Sequence, residues 1–272
     1  AFMSTIVVRS SGLSSVASIL FALAWTVAVF IPVAMLSFTG MGPFGLRPID
    51  QGGSLAINVA AGAAALGALV CTKSMPRRAS GSPLPVGMAT AGVVALSVGW
   101  LGWMVGSELA IDELIPVILA NGVAGAAGGV AGWLVVQRIR HQSTSLGAVA
   151  AGLVSGLVAV SAGSAMYEPF AAFVVAVLAS SAACLFTISR VGRSPRQQWF
   201  IVGSHLVAGA VGLVGLGLFA NGFGFLFTGQ YVVLRDQVIS CVLIAAYSMG
   251  VAIGLWFALR GAFTRSAVLK RS

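Results

Sequence analysis

Eight apolar stretches, each about as long as a bilayer is thick, dictate what this chain can fold into. They run over residues 13–38, 54–72, 86–106, 114–137, 145–165, 170–189, 199–219 and 237–260. A helix of about 20 residues rises about 30 Å, the depth of the hydrocarbon core of a bilayer. Within that layer every backbone N–H and C=O must find its partner inside the protein, so each stretch is expected to be a helix. The connectors hold the breakers: GMGPFGLRP over 40–48, SMPRRASGSPLP over 74–85, and Gly192 to Pro195. Hydrophobic residues make up 58% of the chain and charged ones 8%, too little polar surface for a soluble domain of 272 residues. The expected fold class is all-α, a polytopic membrane helix bundle with about eight full transmembrane helices.

The charges sort by side. Arg9, Lys73, Arg77, Arg78, Arg138, Arg140, Arg190, Arg193, Arg196, Arg260, Arg265, Lys270 and Arg271 fall at one end of an eight-span arrangement, and only Arg47 and Arg235 at the other. All six acids (Asp50, Glu108, Asp112, Glu113, Glu168 and Asp236) fall at the end with the two arginines. By the positive-inside rule the basic end is cytoplasmic, which puts the C-terminus inside a cell membrane (inner or plasma) crossed many times. The net charge of +9 therefore reports orientation, and no nucleic-acid partner is expected. Cys71, Cys184 and Cys241 are scattered and form neither a disulfide framework nor a metal cluster, so no metal or cofactor is expected. Residues 1–8 read as the tail of a hydrophobic segment cut short, and we expect an N-terminally incomplete chain.

Small residues crowd the spans, as in GVAGAAGGVAG (122–132), which lets helix backbones approach closely. One pattern recurs: Asn58 opens N-V-A-A-G-A-A-A-L in the second span, and His205 opens H-L-V-A-G-A-V-G-L in the seventh. Spans five apart run in opposite directions, so the echo points to an inverted repeat with its polar site near the midplane. Asn58 and His205 are then expected to face each other across a central path.

His205 is the one ionisable side chain in Ile201 to Ala220. It is either a buried histidine bonded to a neighbouring helix or a pore-lining imidazole that donates from one nitrogen and accepts at the other. His141, beside Arg138 and Arg140, is expected in solvent. At the acidic end, Phe38, Trp100 and Trp103 form either an interfacial aromatic belt or a site where aromatic faces attract a cation and Ser107 accepts a hydrogen bond. Asp50, ahead of Gly52 and Gly53, is placed to cap the second helix.

Several of these spacings together resemble the Amt/Mep/Rh ammonium transporter family, from about residue 10 to the end. Pro32 is followed six residues later by Phe38, and Asp50 comes twelve residues after that. The segment Gly99-Trp-Leu-Gly-Trp-Met-Val-Gly-Ser107 and the segment His205-Leu-Val-Ala-Gly209 are similar to two further family motifs. The resemblance implies that Phe38 stands at the external-site tryptophan, Ser107 at the external-site serine and Trp103 at a gating phenylalanine, with Trp100 beside it. It makes Asp50 the structural acid near that site and His205 the second of two pore histidines. Where the family places the first, this chain has Asn58, or Ile57 if one gap is allowed. An acid expected before the second histidine is missing from Arg196-Gln-Gln-Trp-Phe200. The helices carrying the family's first gating phenylalanine precede residue 1. The resemblance thus makes residues 1–272 a single membrane domain, with 1–72 the remnant of a first inverted repeat, 86–219 the second and 237–260 a final helix.

The implied function is capture of ammonium outside, deprotonation, and conduction of ammonia along an apolar pore past His205. The energetics favour that order: burying a bare cation costs tens of kcal/mol, whereas removing a proton from an amine of pKa near 10 at pH 7 costs roughly 4 kcal/mol. An amide at position 58 cannot titrate, so a weakened or altered proton path is expected. The family also implies a homotrimer in the lipid bilayer and a cytoplasmic PII-type regulator. Alternatives are a non-conducting ammonium-binding sensor or structural paralogue, and a general small-solute transporter. No nucleophile–base pair or phosphate loop suggests an enzyme.

Overall fold

A computed structural model describes residues 13–40, 42–71, 85–191 and 199–269. Arg9, Lys73, Arg77, Arg78, Arg193, Arg196, Lys270, Arg271 and the 1–8 segment lie outside the described residues. Every long element is a helix: α1 (Ser15–Phe38), α2 (Ser54–Cys71), α3 (Val86–Gly106), α4 (Leu114–Ile139), α5 (Leu146–Ser161), α6 (Pro169–Val191), α7 (Trp199–Phe219), the short α8 (Phe225–Thr228) and α9 (Val232–Leu269). Seven of these are long and apolar enough to cross a membrane.

The stretch expected over 145–165 is the exception. Its helix α5 stops at Ser161 after 16 residues, and residues 162–166 form turns. Sixteen residues rise only about 24 Å. The physical reason lies at the C-terminal end of α5, where the carbonyls that another helical turn would use are taken by the loop before α2. Gly52 N donates to Ser161 O at 2.9 Å and Gln51 N to Ala162 O at 2.9 Å. The N-terminal end is fixed conventionally, by Ser145 Oγ accepting from Ala148 N at 3.2 Å.

The acidic loops gather at one end of the bundle. Gln51 Nε2 donates to Glu108, Asn221 Nδ2 to Glu168 at 2.7 Å, and Arg47 N to Asp236 at 3.1 Å. Helix α2 therefore starts at this acidic end and α7 finishes there, so the two run antiparallel. Of the seven long spans they are the two most buried, at 78% for α2 and 67% for α7 against 6% for α3.

Close packing elsewhere depends on missing side chains. Helices α4 and α5 approach until a Cβ on Gly156 would sit 2.1 Å from Gly125 O. On the opposite flank, Trp25 of α1 donates from Nε1 to Ser248 Oγ of α9 at 3.1 Å, and that hydroxyl donates to Ala60 O of α2 at 2.6 Å. One fully buried chain of polar groups thus ties three helices, and each donor in it is satisfied.

Candidate functional site: a helix crossing below an aromatic mouth

The two segments that echo each other in sequence are wound alike. Each carries a π turn, Ser54–Val59 in α2 and Val202–Val207 in α7, and each turn contains the polar residue of the pattern. Turns of this kind are frequent at functional sites, and α1 carries a third over Thr26–Phe30. The two turns pack on one another. The contact is reciprocal: a Cβ on Gly62, four residues after Asn58, would lie 2.5 Å from Leu206 N. A Cβ on Gly209, four residues after His205, would lie 3.0 Å from Val59 Cγ2.

This register staggers the two polar side chains instead of setting them opposite each other. With Gly62 at Leu206 and Val59 at Gly209, Asn58 lies on the acidic side of the crossing and His205 on the other, about five residues or roughly 7 Å of helix rise apart. Both are buried, Asn58 at 2% exposure and His205 at 4%. His205 Nδ1 is 2.8 Å from Ser204 Oγ, which itself donates to Phe200 O at 2.8 Å. Ile57, the other candidate for the first polar position, is half-buried and turned elsewhere. Its Cδ1 and Phe38 Cζ both converge on Gly53, at 2.9 and 3.4 Å from where a Cβ would stand.

The loop between α1 and α2 organises the mouth. Asp50 is buried and accepts from Leu55 N through both carboxylate oxygens at 3.0 Å, and from Ala56 N at 3.2 Å. Burial pushes its carboxyl up, to about 7, while the N–H groups of Leu55, Ala56 and Ser54 pull it back down. Gly53 has φ 72°, a left-handed conformation that glycine adopts without strain. Trp103 Nε1 donates to Gly52 O at 3.1 Å, and Trp100 Nε1 donates to Ser161 Oγ at 3.0 Å. Phe38 and Trp103 are thus drawn to the same diglycine turn while remaining 54% and 51% exposed. Ser107 Oγ spends its proton on Met104 O at 2.7 Å, which leaves its lone pairs free to accept.

The structure therefore brings Phe38, Trp103 and the Asp50 turn together, and places Asn58 and His205 further in. His141 is exposed, away from both. Sequence reasoning missed two residues. Gln51 Oε1 accepts from Ser164 Oγ at 3.0 Å and Ala165 N at 2.8 Å, which locks the mouth to the end of α5 across more than 110 residues of chain. The other is Ser204, which in sequence is one more small residue in a small-residue span. No local pattern marks either one. Among the described residues no group of His, Cys, Asp or Glu is arranged to hold a metal.

An antiparallel helix pair crossing at the centre of an apolar bundle, with buried polar side chains at the crossing and an aromatic mouth at one end, defines a multi-pass membrane protein of the transporter class. Its sequence matches the profile of the Ammonium Transporter Family over residues 2–265, and the chain belongs to that family. An ammonium transporter of Bacillus subtilis is 28% identical over 235 residues, covering 82% of this chain and 57% of its own length. The crystal structure of Candida albicans Mep2 superposes with a TM-score of 0.81 at 19% identity, covering 94% of this chain and 61% of that one. A solved structure described as a sensor Amt protein superposes at 0.78 and 19% identity, covering 95% and 69%. The chain spans between about half and three-fifths of the length of the curated relatives it matches. Membership sets it among transporters and not among enzymes.

Proposed function

We propose that the protein moves ammonium across a cell membrane by binding the cation at the aromatic mouth and passing neutral ammonia inward beside Asn58 and His205. The observation that carries this reading is the reciprocal crossing of α2 and α7. It sets one polar side chain from each of two antiparallel helices in sequence along one buried junction, below a mouth of open aromatic faces. Phe38 and Trp103 supply cation–π attraction, and Ser107 supplies a lone pair to an N–H of the cation. Beyond the mouth the small apolar residues of α2 and α7 offer nothing to a charge, so the ammonium gives its proton to water at the open mouth before the nitrogen proceeds as ammonia. Asn58 then exchanges hydrogen bonds without titrating, and His205 is the one imidazole on the path. The crossing also supports dividing the chain into an inverted-repeat remnant over 1–72, a second repeat over 86–219 and a final helix over 237–260. By the same family reading the basic end and C-terminus are cytoplasmic, the assembly is a homotrimer and a PII-type protein regulates it.

The test is ammonium uptake by the full-length protein in cells without transporters of their own. Uptake is expected, with His205→Ala reducing it at least tenfold and Asn58→His strengthening its coupling to proton movement. Replacement of the amide at position 58 favours one competing reading, a non-conducting ammonium-binding sensor or structural paralogue. Tight ammonium binding without uptake would establish that reading in place of transport.

A further inference from the structure

We propose that Ser204 is a positioning residue that holds His205 as the Nδ1–H tautomer, leaving Nε2 as the bare nitrogen presented to a passing N–H donor. The inference rests on the transport reading above for its purpose, but its chemistry stands on two hydrogen bonds. Ser204 Oγ is completely buried and has one proton. That proton is directed at Phe200 O, 2.8 Å away, an acceptor that can offer nothing in return. With that proton on Phe200 O, the 2.8 Å contact between the same oxygen and His205 Nδ1 takes its proton from the ring. A neutral imidazole has one N–H, so placing it on Nδ1 makes Nε2 an acceptor.

The local winding makes the contact possible. Consecutive residues of a regular α-helix do not face each other. Ser204 and His205 both sit within the π turn Val202–Val207, where the wider winding brings neighbouring side chains closer in angle. The preceding residues complete the relay: Phe200 belongs to the first turn of α7, so the backbone carbonyl that orients the hydroxyl is fixed by the helix itself. With an amide at Asn58 in place of a second imidazole, no other titratable ring in α2 or α7 is available to fix the tautomer of His205. The partners the ring has in its place come from within α7 itself, the Ser204 hydroxyl beside it and the Ile201 carbonyl one turn back.

The tautomer is read directly by solid-state nuclear magnetic resonance on full-length protein in proteoliposomes, labelled with ¹³C,¹⁵N-histidine. His141→Asn removes the exposed second histidine of this chain, and the asparagine suits its left-handed φ of 53°. The parent is expected to give the Nδ1–H signature. Ser204→Ala is expected to move the tautomer ratio toward Nε2–H by roughly three- to tenfold, the equilibrium effect of one hydrogen bond. Ser204→Thr keeps the hydroxyl and restores the parent ratio. An Nε2–H ring in the parent, or a ratio untouched by Ser204→Ala, overturns the proposal. Should Ser204→Ala fail to fold, Ser204→Gly removes the same hydroxyl and is read in its place. Ammonium uptake in the same vesicles is expected to fall with Ser204→Ala and recover with Ser204→Thr. A parent that takes up no ammonium refutes the transport reading, while the tautomer measurement still decides the role of Ser204.

Discussion

Asp50 shows how a single carboxyl can set a whole entrance. Its two oxygens take the N–H groups of Leu55 and Ala56 at the start of α2, donors that would otherwise be buried without partners. Removing it leaves those donors unsatisfied, at a cost of about 1–3 kcal/mol. Asp50→Ala is therefore expected to lower the thermal unfolding midpoint of the detergent-solubilised protein, and Asp50→Asn to lower it less. The same change frees the diglycine turn that holds Trp103, so affinity for ammonium should fall along with stability. Isothermal titration on the variant measures that loss. Position 50 was readable from sequence because a helix cap is a local device, an acid a few residues ahead of an apolar run. Ser204 was not, since its importance arises from a π turn that no propensity announces.

At the scale of elements, contact between helices is controlled by where a side chain would be too much. Gly156 faces Gly125 O at a distance no Cβ tolerates, whereas Gly250 in α9 has open space around it. Gly156→Leu forces α4 and α5 apart and is expected to destabilise by about 3 kcal/mol or more, the cost of overpacking plus backbone displacement. Gly250→Ala is expected to be neutral or to stabilise by about 0.5–1 kcal/mol through helix propensity. Thermal unfolding of both variants in the same detergent separates the two cases. From sequence these glycines look identical, and the helices that carry them were legible only as helices. The length of α5 shows the same limit: an apolar run over 145–165 has no internal mark at Ser161, because what ends the helix is Gln51 and Gly52 arriving from elsewhere in the chain.

At the scale of the molecule, the segregation of acids and bases becomes one physical end of a bundle. Glu108, Glu168 and Asp236 are tied to loops that meet around the mouth, while Arg138 and Arg140 close α4 at the other end. Membrane-impermeant thiol reagents are expected to label Gln230→Cys from outside intact cells and Ser143→Cys only after the membrane is opened. Both positions are exposed, Cys184 and Cys241 are buried, and a Cys71→Ser background removes the half-buried third thiol. Labelling in the reverse order would invert the orientation and move the mouth to the cytoplasm.

Run length, breaker position and charge segregation by themselves determined that the chain is helical and crosses a bilayer repeatedly, because a low-dielectric slab admits few backbone solutions, while the likeness to ammonium transporters lay in the spacing of Phe38, Asp50, Ser107 and His205. The echo around Asn58 and His205 even marked which two helices meet. Only the tertiary structure decided how they meet: staggered along the crossing, with Ile57 turned to the mouth and a serine hydroxyl on the imidazole. Those details depend on a few ångströms of register between segments nearly 150 residues apart, and register is set by which glycine leaves room for which backbone.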